Sequence, residues 1–214
     1  MSTPAIAPED RTAPPAREAD GDHLIVLTGA TWADFQRMLE LRGERPVPRL
    51  AYLEGTLQLM SPSQRHERLK SMIGRLVDAW CLERGVEITP YGSWTLEEKA
   101  LERGVEPDEC FVLGDDAASD EGDEAARRPD LAIEVALTSG GLSKLELYRG
   151  LRVREVWIWR RGAITVHVLR GDVYEAVPAS EALPGLDLAL LLRFVEVRPM
   201  TRAVREYREA LRGA

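Results

Sequence analysis

The run DLAIEVAL, residues 130–137, decides how this chain folds. Side chains alternate across a strand, so Leu131, Ile133, Val135 and Leu137 form one unbroken apolar face, while Asp130, Ala132, Glu134 and Ala136 form the other. The run reads as a central strand. A glutamate between two alanines is unusual there, and the small neighbours leave room for a group to approach its carboxylate. Upstream, VEPDECFVLG (105–114) alternates in the same way, with Glu106, Asp108, Cys110 and Val112 on one face. If the two runs are neighbours, Asp108 and Glu134 meet. Two ionised carboxylates that close repel unless a cation bridges them, and an oxygen-rich site suits Mg²⁺ or Mn²⁺. The competing reading is a strand glutamate that is exposed or salt-bridged.

Working outward, Ser63 followed by Leu69, Met72, Ile73, Leu76, Val77, Trp80 and Cys81 predicts a long helix closed by Gly85. HLIVLT predicts a strand, followed by a helix from about Thr31 to Gly43, and LAYLEGTLQLM (50–60) predicts a hairpin turning at Glu54-Gly55. VEITPYGSWTL (86–96), EVWIWRR (155–161), AITVHVLR (163–170) and DVYEAV (172–177) read as further strands, and SGGLSKLELYRGLRV (139–153) as a short helix. Trp157 and Trp159 share a parity and read as core. Residues 199–214 form an amphipathic helix with Met200, Ala203, Val204, Tyr207 and Leu211 on one face. The expectation is an α/β (α+β) domain over 23–198, with helices flanking a single mixed sheet.

Residues 1–22 are rich in Pro, Ala and charge and read as a disordered tail. The net charge of −8 is concentrated there and in DDAASDEGDE (115–124), leaving the remainder close to neutral. That balance neither supports nor excludes nucleic acid. No run reaches the roughly 20 apolar residues of a membrane helix, no basic-then-apolar leader opens the chain, and Cys81 and Cys110 lack metal spacing and read as reduced thiols. The cytoplasm is the default expectation. Arg65, Arg68 and Lys70 form one basic stripe. Arg202, Arg205, Arg208 and Arg212 form another, interleaved with Glu206 and Glu209, which reads as a solvated face held by ion pairs.

Taken together, GVEPDECFVLG, RRPDLAIEVALTSGGLSKLELYRGLRVREVWIW and AYLEGTLQLMSPSQRHERLKSMIGRLV resemble the Uma-two-type family of restriction-endonuclease-like proteins from about residue 25 to 195. The resemblance implies a restriction-endonuclease-like PD-(D/E)XK fold, with a mixed central sheet flanked by helices. It also implies Mg²⁺- or Mn²⁺-dependent cleavage of nucleic-acid phosphodiesters, with DNA as the substrate. It assigns Asp108 and Glu134 to the metal, with the Val135 carbonyl and Glu54 as further ligands, and Asp108, Glu134, Lys144 and His66 to catalysis. The usual lysine position holds Ala136, and Lys144 is the family's substitute from the following helix. By composition alone, Lys144 reads equally as a helix lysine paired with Glu146 or Glu155. His66 reads equally as an exposed neutral imidazole, Glu54 as a turn residue, and Asp130, after Pro129, as a strand-terminating residue. Two other readings stand beside the nuclease: a catalytically idle binding or regulatory module, and a homodimer formed through the Arg-rich last helix.

Overall fold

The computed structural model describes residues 21–114 and 128–213, so the expectations for residues 1–20 and for the acidic run 115–124 lie outside the described residues. Among the described residues the hairpin, the long helix and the α/β class appear as expected. The single sheet does not, because the strands divide between two sheets. The first sheet holds β1 (His23–Thr28), β2 (Arg49–Leu53), β3 (Thr56–Ser61), β5 (Leu96–Glu98) and β6 (Arg103–Val105), in the order β1-β3-β2-β6-β5. The second, in the order β11-β10-β9-β8-β7-β4, holds β4 (Ile88–Pro90), β7 (Glu109–Leu113), β8 (Leu131–Val135), β9 (Glu155–Arg160), β10 (Ala163–Arg170) and β11 (Val173–Val177). In this sheet β8 and β9 run parallel and the other pairs antiparallel.

The two sheets exist because a bent hairpin crosses between them. Residues 86–96 and 105–114, each expected as one strand, are each cut in two. β4 pairs with β7 in one sheet and β5 with β6 in the other. The chain changes sheet at 91–95 on the way out and at Glu106-Pro107-Asp108 on the way back. Pro107 has no N–H to give a ladder, which suits it to a break. The Glu106 carboxylate ties the crossing down, accepting from Leu50 N–H at 2.8 Å, Arg42 at 2.5 Å and Thr95 Oγ1 at 3.0 Å. Asp108 is thereby delivered to the seam between the sheets.

Helix α2 (Gln64–Arg84), capped by Ser63 and closed by left-handed Gly85, covers one face of the six-stranded sheet. With it lie α4 (Leu188–Val195) and α5 (Met200–Arg212), over a core of Ile133, Val135, Trp157 and Trp159. The run 186–195 contains α4, whose start is capped by the Asp187 carboxylate. None of the helices among the described residues is long and apolar enough to cross a membrane. On the opposite face, Cys110, Ala132 and Val156 pack with α3 (Lys144–Gly150) and with Ala51 and Val105 of the first sheet. Helix α1 (Trp32–Arg42), opened by a Thr31–Asp34 capping box, lays Phe35 against Tyr52 on the far side of that sheet. The β2–β3 turn has positive φ at both Glu54 (42°) and Gly55 (91°), the requirement of a tight two-residue hairpin. Cys81 and Cys110 are separate buried thiols, both pushed up to about 12 by burial.

The apolar face of α5 packs within the chain, with Ala203, Tyr207 and Leu211 buried. Its Arg212 and Arg208 hold Glu83 of α2, at 2.7 and 2.5 Å. These contacts, Arg212 first, depress the Glu83 carboxyl to about 2 from its ordinary 4.5. A depressed carboxylate contributes stability that is complete above its unfolded pKa and disappears as pH falls through the folded one. The stability difference between the protein and Glu83→Gln should therefore be constant above about pH 5 and shrink between about pH 4.5 and 2, measured by urea unfolding; a difference independent of pH across that window would contradict the pairing. Glu155, fully buried, accepts from Trp157 Nε1 and Ser180 Oγ at 2.6 Å, Glu181 N–H at 2.8 Å and Ala182 N–H at 2.9 Å. Glu155→Ala strands four donors, so we expect a loss of about 3 kcal/mol or more with an unchanged denaturant slope. A loss under about 1 kcal/mol would contradict this role.

Candidate metal and hydrolytic centre

Register brings the two acids together. Cys110 pairs with Ala132 and Glu109 with Ile133, so Asp108 follows on beside Glu134. Parity assigned the faces of 130–137 correctly, since Ile133 and Val135 join the α2 core while Ala132 faces α3. Parity failed for Glu106, which is engaged at the sheet crossing rather than beside Asp108.

Asp108 is fully buried. Its Oδ2 accepts from Val135 N–H at 2.7 Å, and its Oδ1 accepts from the Arg49 guanidinium. His66 Nε2 lies 2.9 Å from the same Oδ1 but lacks hydrogen-bond alignment, so this buried nitrogen has no committed hydrogen-bond partner. Burial acts to raise the Asp108 pKa, yet His66, Arg49 and Lys144 together bring it below the ordinary carboxylate value. Glu134 moves the other way. Burial, and then the charge of Asp108, raise its pKa against the pull of Lys144. The pair is one coupled unit in which Asp108 holds its charge more firmly.

Lys144 Nζ stands 3.0 Å from Glu134 Oε1, which also accepts from the Tyr148 hydroxyl. Neither Glu146 nor Glu155, the partners considered from sequence, takes Lys144. His66 is buried rather than exposed, and Asp22 and Asp108 flank it. Burial opposes its charge, but Asp108 and then Asp22 push it up to about 9, outweighing the unfavourable helix N-terminus. Asp130 is structural, accepting from Leu113 N–H at 2.9 Å. Glu54 does not join the group. Its carboxylate is exposed and pairs at 2.8 Å with Arg103, which donates to the Glu146 carbonyl and packs over Gly150 near the far end of α3.

Glu134, Lys144 and His66 open on a cleft of about 330 Å³ that is also lined by Asp22, Gln58, Arg160 and the 136–143 loop. The loop is fixed by Gln58, whose Oε1 accepts from Leu142 N–H at 2.7 Å, and Gly141 leaves the space this needs, because a Cβ there would lie 2.6 Å from that oxygen. A wider groove of about 1040 Å³ between α1 and β5 lies away from every one of these groups. The basic stripes are also compensated: Arg65 and Arg68 reach Glu196, and Lys70 reaches Glu67.

Sequence reasoning missed Asp22, Arg49 and Tyr148. Arg49 was discoverable, because it shares strand parity with Ala51, which faces the six-stranded sheet. So was Tyr148, four residues after Lys144 and hence on the same face of α3. Asp22 carried no signal at the end of a polar tail. Among the described residues no three His, Cys, Asp or Glu side chains are gathered to hold a metal alone. The oxygen chemistry still fits Mg²⁺, which is commonly held by one or two carboxylates with water and phosphate oxygens completing the shell.

No curated protein matches the chain. A solved structure described as a putative nuclease belonging to DUF820, from Anabaena variabilis ATCC 29413, is 14% identical and covers 84% of this chain and 99% of its own, with a TM-score of 0.44. Residues 32–200 match the family model described as "Uma2: Putative restriction endonuclease", which spans both acids, the lysine and the histidine. On that match the chain belongs to the Uma2 family of putative restriction endonucleases.

Proposed function

We propose that the protein is a metal-dependent endonuclease that hydrolyses phosphodiester bonds, with DNA as substrate. One observation carries the reading: two buried carboxylates, Asp108 and Glu134, adjoin each other at a sheet seam with Lys144 on the second, beside a cleft. Asp108, Glu134 and the Val135 carbonyl would hold a Mg²⁺ or Mn²⁺ ion. Bound there, such an ion supplies a water of lowered pKa and neutralises charge on the scissile phosphate.

The chain's own residues do the rest. Val135 N–H and Arg49 orient the Asp108 carboxylate and keep it ionised. Tyr148, on the buried face of α3, donates its hydroxyl to Glu134 and helps set that carboxylate's orientation. Lys144, held directly by Glu134, is placed to orient an attacking water or to stabilise growing negative charge on phosphate. Its position answers the Ala136 substitution and favours an active centre over an idle module: the ammonium arrives from α3 rather than from the strand. Arg160 at the cleft rim offers a contact to a neighbouring phosphate.

Cleavage of single-stranded, duplex and branched DNA with Mg²⁺ or Mn²⁺ tests the reading. The protein should cut at least one of these, chelation should abolish cutting, and Asp108→Asn, Glu134→Gln and Lys144→Met should each lower the rate by about a hundredfold or more. Equal rates for the protein and all three variants, or full activity in chelator, would defeat it.

A further inference from the structure

Asp22 lies upstream of the family-matched span 32–200 and upstream of every motif read in the sequence, yet it is built into the centre. Its carboxylate is only 1% exposed. Oδ1 accepts from Ser63 N–H at 2.9 Å, beside the start of α2, and Oδ2 lies 2.9 Å from His66 Nδ1. A carboxylate can only accept, so the hydrogen of that contact belongs to Nδ1. The opposite nitrogen, Nε2, is the one left at Asp108 Oδ1, at 2.9 Å and without a committed hydrogen-bond partner. The line therefore runs carboxylate, imidazole, carboxylate, from β1's leading residue through the first turn of α2 to the crossing before β7.

We propose that Asp22 is a positioning residue: by holding the hydrogen of His66 Nδ1 while anchoring the Ser63 cap, it fixes the imidazole plane and presents Nε2 to Asp108. Helix geometry alone does not do this, because the ring torsion of histidine is broad and roughly two-fold, so either nitrogen could face Asp108. One carboxylate settles the choice, since its two oxygens bind the helix start and the ring at once. The effect on turnover rests on the hydrolase reading; the effect on the ring does not.

The test is Asp22→Asn in the full chain, followed by ¹⁵N NMR of the His66 ring and by the kinetics of metal-dependent DNA cleavage. Asparagine has one acceptor oxygen where aspartate has two, so it cannot accept from Ser63 N–H and His66 Nδ1–H at once. The expected result is an Nδ1–H resonance shifted by its hydrogen bond in the native protein and moved or lost in the variant, with kcat reduced at least about tenfold and KM within about twofold. Native His66 with a bare Nδ1 would overturn the proposal without any variant. So would an identical ring state in both proteins, an unchanged kcat, or a change confined to KM. If the native protein cuts no DNA, the hydrolase reading fails, and the nitrogen assignments alone decide whether Asp22 sets the ring.

Discussion

The structure depends on one buried carboxylate. Asp108 has no exposed surface, and leaving such a charge unpaired in the interior would cost several kcal/mol. Its partners come from three other elements: the Val135 amide at the end of β8, Arg49 from β2 and His66 from α2. Satisfying this one group therefore ties the two sheets and the longest helix to a single point. Arg49 extends the tie by reaching Glu67 at 2.5 Å, so α2 is held to β2 as well as to the crossing strand. The arrangement is a network in which removing one member leaves the others buried and unbalanced, and such networks couple stability closely to geometry.

The same constraint separates the two acids chemically. Asp108, ringed by cations, is driven toward its charged form, whereas Glu134, buried beside Asp108 with Lys144 as a close cation, is driven toward protonation. Two carboxylates with environments of opposite tendency form a centre whose net charge responds to whatever enters the cleft. An arriving cation favours both ionised forms, and an arriving phosphate meets Lys144 and Arg160. Apolar packing supports this from both sides, with Trp157 and Trp159 beneath the strand and Leu147 and Tyr148 above it.

Much of this was legible in sequence, for definable reasons. Alternation in DLAIEVAL located the central strand and the face of Glu134, and the helical spacing from Ser63 to Gly85 located α2 with both of its caps. Local period and local capping are short-range facts that residues state directly. The division into two sheets was not legible, because alternation continues through VEPDECFVLG although the strand breaks; the break is enforced by long-range acceptance at Glu106 from Leu50, Arg42 and Thr95. The candidate site divided in the same way. Asp108, Glu134, Lys144 and His66 were named from motifs, and Glu54, also named, is exposed and paired with Arg103. Arg49 and Tyr148 were readable from parity and helical spacing but were passed over. Asp22 reaches the centre only through the pairing of β1 with β3, which sets His23 opposite Ser61 and so brings Asp22 near the cap of α2. Nothing in its own neighbours announces that.

The central claim is that Asp108 and Glu134 together form a cation site. Calorimetric titration of Mn²⁺ or Mg²⁺ into the protein, Asp108→Asn and Glu134→Gln tests it most directly. The account predicts saturable binding in the native chain, weakened in each variant by at least about tenfold, or ~1.4 kcal/mol. Indistinguishable heats for all three proteins, or no saturable binding to the native chain, would contradict it.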